Sequence, residues 1–375
     1  MPSNASTATR CGLEGCGCGR SMPRMLAPAF QRQERYMHIS AVQTVLPDHR
    51  YAQGEITEAF SRLTDCDEEL LRRFHAAAGV EGRNLALPLA DYPKLDSFAR
   101  ANDIYLETAL DLTEQAVKGA LNKAGVRPER IDHLLLCSTT GIATPSLDAR
   151  LAQRVGLRPD VKRVPVFGLG CAAGAAGLSR LHDYLRGWPD HVAMLVCVEL
   201  CSLTIQRDDT SVANLVASAL FGDGAAAVVA TGRGQGPEVV ATRSRLYPDT
   251  EHLMGWEVGP HGFRIVLDPD LTTFVEQVLA GDIKAFLADY GLTPEQVATW
   301  VCHPGGPKVI ETIARTLDLP PKALDVTWRS LREHGNLSSV SVLHVLQETR
   351  GRPGAPAVLL ALGPGFSAEL LLLHW

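Results

Sequence analysis

In the stretch Val164-Pro-Val-Phe-Gly-Leu-Gly-Cys-Ala-Ala-Gly-Ala-Ala-Gly-Leu-Ser-Arg-Leu181, a strand pattern passes directly into a helix pattern. The β-rich run ends at Gly168 and Gly170, and an Ala/Gly/Leu-rich helix is predicted immediately after Cys171. Glycines at this point permit a tight turn, and the small residues that follow let another segment come close. The thiol would then lie at a helix N-terminus, where free N–H groups and the helix dipole favour a thiolate. A buried structural cysteine is the alternative.

The chain contains an internal repeat. Segments 120–137 and 286–303 each predict a helix, a glycine stop, a Pro-Glu turn and an apolar strand. Further along, Gly170-Cys171 corresponds to Gly335-Asn336, and the Gly222-Asp-Gly224 strand start corresponds to Gly363-Pro-Gly365. Three matches in the same order predict a duplicated α/β unit.

The repeat places three polar residues at equivalent ends of the two halves. Cys171 and Asn336 each begin a helix, and His303 follows the apolar strand 299–302. Ligands of open α/β sheets bind where strands end in this way. If a pseudo-twofold relates the halves, the three side chains converge as a nucleophile, a base and an oxyanion donor. For Asn336 alone, a helix N-cap is the alternative.

These residues lie in motifs that resemble those of a known family. From about Met37 to Trp375 the chain resembles the thiolase-fold condensing enzymes, and specifically the type III polyketide synthases, or chalcone-synthase-like enzymes. Ketoacyl-ACP synthase III enzymes share the Cys, His and Asn but differ at the His-Pro-Gly-Gly segment. The motifs are Gly168-Leu-Gly-Cys171-Ala, Ala219-Leu-Phe-Gly-Asp-Gly-Ala225, His303-Pro-Gly-Gly-Pro307, Gly335-Asn-Leu-Ser-Ser339 and Gly363-Pro-Gly-Phe366.

The resemblance implies an α/β thiolase-like fold of duplicated βαβαβ-type halves in five layers, αβαβα. The N-terminal half, 37–232, would carry the nucleophilic cysteine, and the C-terminal half, 233–375, the catalytic histidine and asparagine. Residues 1–36 are Ser/Thr/Ala/Gly-rich up to Arg20 and are expected to form a disordered leader. Three cysteines of the leader are potential metal ligands, but no fourth ligand with suitable spacing follows, so no metal is expected. These are Cys11, Cys16 and Cys18.

The family's chemistry implies a role for each of the three polar residues. An acyl group passes from CoA to Cys171, whose ionised fraction a neighbouring His303 imidazolium would raise. Malonyl-CoA then loses CO2 to leave an enolate, which needs hydrogen-bond donors rather than a base. His303 and the Asn336 amide can donate, each contributing roughly 3–4 kcal/mol. Acyl-CoA and malonyl-CoA are substrates, no cofactor is implied, and the family forms homodimers.

Other positions match residues that contact substrates in the family. Two phenylalanines match aromatic gatekeepers between the CoA tunnel and the cavity, although core packing is their ordinary role. A glycine and a serine match small residues that line the cavity, and an arginine matches a basic residue at the CoA entrance. Together with Thr204, the expected substrate contacts are Phe221, Phe263, Gly255, Ser338 and Arg73.

Three further positions bear on the starter. Thr140, Thr144 and Cys201 resemble bacterial members whose tunnel holds a long acyl chain, so we expect a fatty acyl-CoA starter and alkylpyrone or alkylresorcinol products. Cys201 also matches tetrahydroxynaphthalene synthases, and a buried structural cysteine remains an alternative. The other functions left open are a tetrahydroxynaphthalene or germicidin-like synthase with a small or medium starter, a ketoacyl-ACP synthase III-like enzyme, and a catalytically silent partner protein.

Composition limits the remaining classes of function. The chain has 375 residues, 46% of them hydrophobic, which is enough for a large core. A net charge of −6 without long charged runs argues against nucleic-acid binding. No apolar stretch is long enough for a transmembrane helix. Nine cysteines, an odd number, favour a reducing cytoplasm over a disulfide framework.

Overall fold

The computed structural model describes residues 37–375. The expectations for residues 1–36, including the three cysteines of that segment, lie outside the described residues. Thirteen strands and ten α-helices occur in the described part of the chain, and they alternate in both halves of it.

The strands are β1 Met37–Val45, β2 His49–Ala52, β3 Gly82–Leu85, β4 Ile131–Cys137, β5 Lys162–Val166, β6 Val192–Leu200, β7 Asp223–Thr231, β8 Glu238–Leu246, β9 Met254–Gly259, β10 Gly262–Leu267, β11 Thr299–Cys302, β12 Pro356–Gly363 and β13 Ser367–His374. The helices are α1 Gln53–Leu63, α2 Glu68–Ala77, α3 Phe98–Ala124, α4 Leu147–Val155, α5 Ala173–Gly187, α6 Val212–Leu220, α7 Leu271–Ala288, α8 Pro307–Thr316, α9 Asp325–His334 and α10 Ser341–Glu348.

Nine strands form one sheet in the order β11-β12-β13-β8-β1-β7-β6-β4-β5. Strands β1 and β8 pair antiparallel at its centre, with Met37 opposite Val239. Outward from this pair, β1-β7-β6-β4 on one side corresponds to β8-β13-β12-β11 on the other. Each series has two antiparallel pairings followed by one parallel pairing. The predicted duplication is therefore confirmed by strand order and by strand direction.

The helices and sheet halves form the five expected layers. Helix α3 packs outside the first half of the sheet, and α7 with α8 packs outside the second. Between the two halves lie α5 and α10, which contact each other and share a core with strands of both halves. The α/β thiolase-like architecture is confirmed. What the sequence did not predict is that β1 and β8 join the two halves into one continuous sheet.

Glycines end the equivalent helices and allow a close packing contact. Helix α3 ends at Gly125 (φ 64°), and the equivalent Gly291 (φ 68°) follows α7. A side chain at Gly174, in the first turn of α5, would place its Cβ 2.4 Å from the carbonyl oxygen of Ser339. Only glycine permits that distance, so α5 and the segment before α10 approach closely beside Cys171.

Candidate active site

Cys171 lies in the 3₁₀ turn Gly170–Ala172 that leads into α5. The turn begins with Gly170 at φ 46°, and a Cβ at that position would lie 2.8 Å from the Pro364 ring. The cysteine side chain is buried, as its whole residue is only 7% exposed. The predicted turn from strand to helix is present, with the thiol at its end.

Asn336 lies between α9 and the 3₁₀ turn Ser338–Val340 that precedes α10. Its backbone N–H donates to Leu220 O (2.8 Å), while its carbonyl accepts from Gly222 N (3.0 Å). The side-chain Oδ1 accepts from Ser338 N (2.8 Å), and Nδ2 donates to Gly305 O (3.3 Å). These bonds hold the amide beside the loop that follows His303.

His303 follows β11 directly, as the sequence predicted. Its backbone N–H donates to Leu360 O at 2.9 Å, which extends the pairing of β11 with β12. The imidazole is buried, and neither ring nitrogen has a hydrogen-bond partner among the described residues. Both nitrogens therefore remain available to a substrate or to the thiol.

One cavity of about 80 Å³ brings most of the expected site residues together. Its remaining walls are mainly apolar, with contributions from β9, β10, α7, α8 and β12. The expected residues that line it are Cys171, Cys201, Phe221, Gly255, His303, Asn336 and Ser338. A thiol, an imidazole and an amide from both halves thus share one largely apolar cavity.

Burial controls the ionisation of this site. Loss of solvation raises the pKa of Cys171 to about 12, although hydrogen bonds from Ser338 and Asn336 oppose the shift. Loss of solvation also lowers the pKa of His303 to about 3. Burial therefore favours the neutral thiol and the neutral imidazole, and the thiolate–imidazolium pair expected from the sequence stays a prediction.

Five expected substrate contacts lie outside this cavity. Phe263, Thr140 and Thr204 line a neighbouring cavity of about 220 Å³, and Thr144 lines another beside Phe167. Arg73 is exposed on α2 and does not line the cavity at Cys171. Thr140, Thr144 and Cys201 line different cavities, and their expected role in an acyl tunnel stays a prediction. The ring of Phe263 packs against Phe98, at a centroid distance of 5.4 Å, and lies 6.0 Å from the ring of Trp256.

Sequence reasoning missed Glu199, which is fully buried near the end of β6. Its carboxyl group accepts from Thr139 N (3.0 Å), Thr140 Oγ1 (3.0 Å) and Ser339 Oγ (2.7 Å). It also lies 3.5 Å from Ser338 Oγ. Burial raises the pKa of Glu199 to about 7. A lone glutamate in the apolar run Val192–Leu200 was the available signal, because an unpaired charge is rarely buried.

Trp256 was also missed. Its half-buried side chain lines the cavity at Cys171 and an adjoining cavity of about 40 Å³. Cys201 and Phe221 line the same two spaces. Trp256 and Phe221 therefore stand between the thiol and the next cavity.

The described residues hold no cluster of three His, Cys, Asp or Glu side chains arranged to bind a metal ion. Among the helices within residues 37–375, none combines the length and the apolar character required to cross a membrane. The six cysteines of the described part are all free thiols.

Comparison with known proteins identifies the class to which this fold and site belong. Residues 28–234 match the family model for the N-terminal domain of chalcone and stilbene synthases, and residues 238–375 match the model for the C-terminal domain. The chain belongs to this family. It is a type III polyketide synthase, an acyltransferase.

Particular relatives share most of the chain. The 1,3,6,8-tetrahydroxynaphthalene synthase of Streptomyces peucetius subsp. caesius is 56% identical over 91% of this chain and 94% of its own. A putative chalcone synthase of Bacillus subtilis (strain 168) is 34% identical over 90% of this chain and 98% of its own. The crystal structure of the 1,3,6,8-tetrahydroxynaphthalene synthase of Streptomyces coelicolor A3(2) superposes with a TM-score of 0.86 at 30% identity, covering 90% of this chain and 99% of that one.

Proposed function

We propose that this type III polyketide synthase uses a small starter and malonyl-CoA to make 1,3,6,8-tetrahydroxynaphthalene or a closely related aromatic product. The observation that carries the proposal is the 56% identity, over 91% of the chain, to a synthase of that compound. The hydroxyl groups of the product lie on alternate carbons of a compact ring system. Repeated addition of two-carbon units from malonyl-CoA leaves oxygen in that pattern.

The cavity at Cys171 supports a small starter over the fatty acyl group expected from the sequence. Its volume is about 80 Å³, and Phe221 and Trp256 line its junction with the adjoining space. A long alkyl chain would need a continuous channel to gain about 0.8 kcal/mol for each buried CH2 group. The three residues on which the long-chain expectation rested line separate cavities.

We assign the loading step to Cys171, with His303 as its base. The neutral imidazole accepts the thiol proton as Sγ attacks the acyl carbon of the starter thioester. The bond from the acyl carbon to the CoA sulfur breaks, and the proton passes to the departing CoA thiolate. Two unpartnered ring nitrogens in the cavity that also holds the thiol support this role.

Chain extension uses the same residues as hydrogen-bond donors. Malonyl-CoA loses CO2, and the electron pair of the broken bond forms an enolate whose oxygen accepts from His303 and from Asn336 Nδ2. The enolate carbon attacks the acyl carbon on Cys171, so that a carbon–carbon bond forms and the bond to Sγ breaks. The extended chain leaves on CoA, and Cys171 takes up a proton before the next loading. The mainly apolar walls strengthen each of these hydrogen bonds.

A homodimer is part of this proposal. Strand β5 is an end strand of the sheet, and its second edge has no partner among the described residues. Val164 on this strand and the nearby Ile142 and Phe167 are large apolar residues with 40–53% of their surface exposed. An open edge flanked by apolar side chains suits pairing with a second copy. Light scattering should give twice the 40.5 kDa chain mass, and Val164→Asp should reduce it to that of one chain.

The decisive experiment offers malonyl-CoA alone and then malonyl-CoA with acyl-CoA starters of increasing length. Mass spectrometry should find 1,3,6,8-tetrahydroxynaphthalene or its oxidation product from malonyl-CoA alone or with a short starter. Alkylpyrones or alkylresorcinols formed preferentially from long starters would instead establish the long-chain function. If no mixture gave a product, the result would contradict both the tetrahydroxynaphthalene function and the long-chain function.

A further inference from the structure

Arg83, on β3, is a charged side chain that the reaction described above does not use. It is 2% exposed and is among the largest fully buried side chains of the described chain. Its Nε donates to Gln53 Oε1 at 3.1 Å, and Nη1 donates to Phe221 O at 2.6 Å. The third nitrogen, Nη2, has no hydrogen-bond partner among residues 37–375. One end of this buried guanidinium therefore has unused donors.

No carboxylate of the described chain forms a salt bridge with Arg83. The acid that most affects it electrostatically is Asp223, whose oxygens accept instead from Ala86 N, Ser202 N and Ser202 Oγ. Burial lowers the pKa of Arg83 to about 10, which leaves the guanidinium charged at neutral pH. A buried charge without a close counter-ion is costly, and an anion that occupied its free donors would relieve that cost.

Arg83 lines the cavity of about 40 Å³ that adjoins the cavity at Cys171. Several amide and hydroxyl side chains of this space are already bonded within the protein. Asn214 donates to two backbone carbonyls, Gln206 donates to Phe263 O, and Ser218 bonds with Leu215 O and His75. Arg83 Nη2 is thus a buried donor without a partner beside amide and hydroxyl groups whose hydrogen bonds are satisfied.

The two cavities share four wall residues, Cys201, Phe221, Trp256 and Ile265. The carbonyl that binds Arg83 belongs to Phe221 itself. The distal end of a short acyl group on Cys171 would pass these residues and reach the space lined by the guanidinium.

We propose that Arg83 binds the terminal carboxylate of an acyl group held on Cys171, so that the enzyme prefers starters derived from dicarboxylic acids over neutral starters of the same size. The proposal rests on the proposed loading of Cys171. Malonyl groups, which the enzyme consumes as extenders, carry such a carboxylate. A guanidinium suits this ligand because its planar donors match the two oxygens of a carboxylate.

The test compares succinyl-CoA with 4-methylpentanoyl-CoA, whose acyl groups have the same number of non-hydrogen atoms and differ at the terminal carboxylate. Initial rates of acyl transfer to Cys171 are followed by mass spectrometry of the intact protein. The wild type should load succinyl about tenfold faster or more, the factor expected for one charge-assisted hydrogen bond. Arg83→Met keeps the length of the side chain and should bring this ratio close to one. Arg83→Lys, which keeps the charge, should retain part of the preference.

Arg62→Met is the matched control, since Arg62 is an exposed arginine of α1 that pairs with Glu58. In this variant the ratio of the succinyl to the 4-methylpentanoyl loading rate should equal that of the wild type. Because a ratio of two rates does not depend on the folded fraction, partial unfolding of an Arg83 variant leaves the result interpretable. A wild-type ratio near one would overturn this proposal while leaving the loading of Cys171 intact. Failure of both thioesters to load would instead contradict the proposed function.

Discussion

Cys171 Sγ lies 3.7 Å from Ser338 Oγ, although 167 residues separate the two in the chain and they belong to opposite halves of the repeat. Ser338 adopts φ 50°, and Asn336 Oδ1 accepts its backbone N–H. The amide of one half therefore positions the hydroxyl that contacts the thiol of the other. The site exists only when the two halves are packed together.

Cys171 should be the residue that carries the acyl chain. After brief exposure to starter CoA, mass spectrometry of peptides should find the acyl group on Cys171, and Cys171→Ala should abolish loading. Cys302→Ala is a suitable control, because Cys302 is a buried free thiol on β11 that does not line the cavity. An acyl group found on Cys137, Cys201 or Cys302 in the wild type would contradict the assignment.

The reactivity of the free thiol should rise with pH. Burial raises the pKa of Cys171 to about 12 and lowers that of His303 to about 3, so the thiolate is scarce at neutral pH. Below the thiol pKa its ionised fraction grows about tenfold for each pH unit. Alkylation of Cys171 by iodoacetamide should follow this slope through neutral and mildly alkaline pH. A plateau that begins in the acid range would indicate a thiolate–imidazolium pair.

Asn336→Asp should separate the two functions of the amide. Aspartate keeps an acceptor for Ser338 N but loses the Nδ2 donor and places a negative charge beside the enolate. Malonyl-CoA decarboxylation and extension should fall about a hundredfold or more, whereas loading of Cys171 should persist. Asn336→Ala, which removes acceptor and donor together, should impair extension as well. Condensation at the wild-type rate in the aspartate variant would rule out the oxyanion role.

Glu199 should make stability depend on pH. Its pKa is raised from 4.5 to about 7 by burial, so the folded state holds its proton more tightly than the unfolded state. The contribution of this proton to the free energy of unfolding is fully present below about pH 4.5. It decreases by up to about 3 kcal/mol as the pH rises to about 7.

The glutamine of Glu199→Gln cannot titrate, so the Tm of this variant should change less than that of the wild type between about pH 4.5 and 7. The control Glu107→Gln, at an exposed position, should keep the pH dependence of the wild type. The Tm of both variants should still depend on pH to some extent, because burial also raises the pKa of Asp223 to about 6. An unchanged slope in Glu199→Gln would show that the carboxyl is already ionised in the folded protein.

Trp256→Leu should widen the range of starters. The indole lines both the cavity at Cys171 and the adjoining space, so a smaller side chain widens the junction between them. Each CH2 group newly buried contributes about 0.8 kcal/mol, so kcat/KM for medium-chain acyl-CoA should rise severalfold relative to a short starter. Trp188→Leu provides a control, since Trp188 is 51% exposed and does not line these cavities. Equal changes for all chain lengths would show that Trp256 does not limit starter size.

The sequence carried strong information on the repeat because local signals mark its elements. Gly125 and Gly291 end equivalent helices, and the Pro-Glu turns at 128 and 294 precede equivalent strands. These features depend on residues close in sequence. The pairing of β1 with β8 depends on contacts between strands far apart in the chain, and no local pattern specifies it.

Side-chain environments were harder to predict for the same reason. Cys171 begins a helix as expected, but its ionisation depends on walls contributed by distant elements. Thr140, Thr144 and Cys201 could be matched to positions in relatives, whereas the cavity that each one lines depends on how neighbouring segments pack. Glu199 was detectable as a charge in an apolar strand, although its hydroxyl partners come from two segments that are distant in the chain.

The symmetric sheet bears on how such a chain could arise. A half-length polypeptide with the order of β1, β7, β6 and β4 could build the same sheet by joining its β1 edge to that of an identical copy. Such an ancestor would hold two equivalent positions where this chain has Cys171 and Asn336, and any change would alter both at once. Fusion of the two copies removes that constraint. One position is then free to carry a nucleophile while the other carries a neutral donor, which is the asymmetry that a condensation between two unlike partners requires.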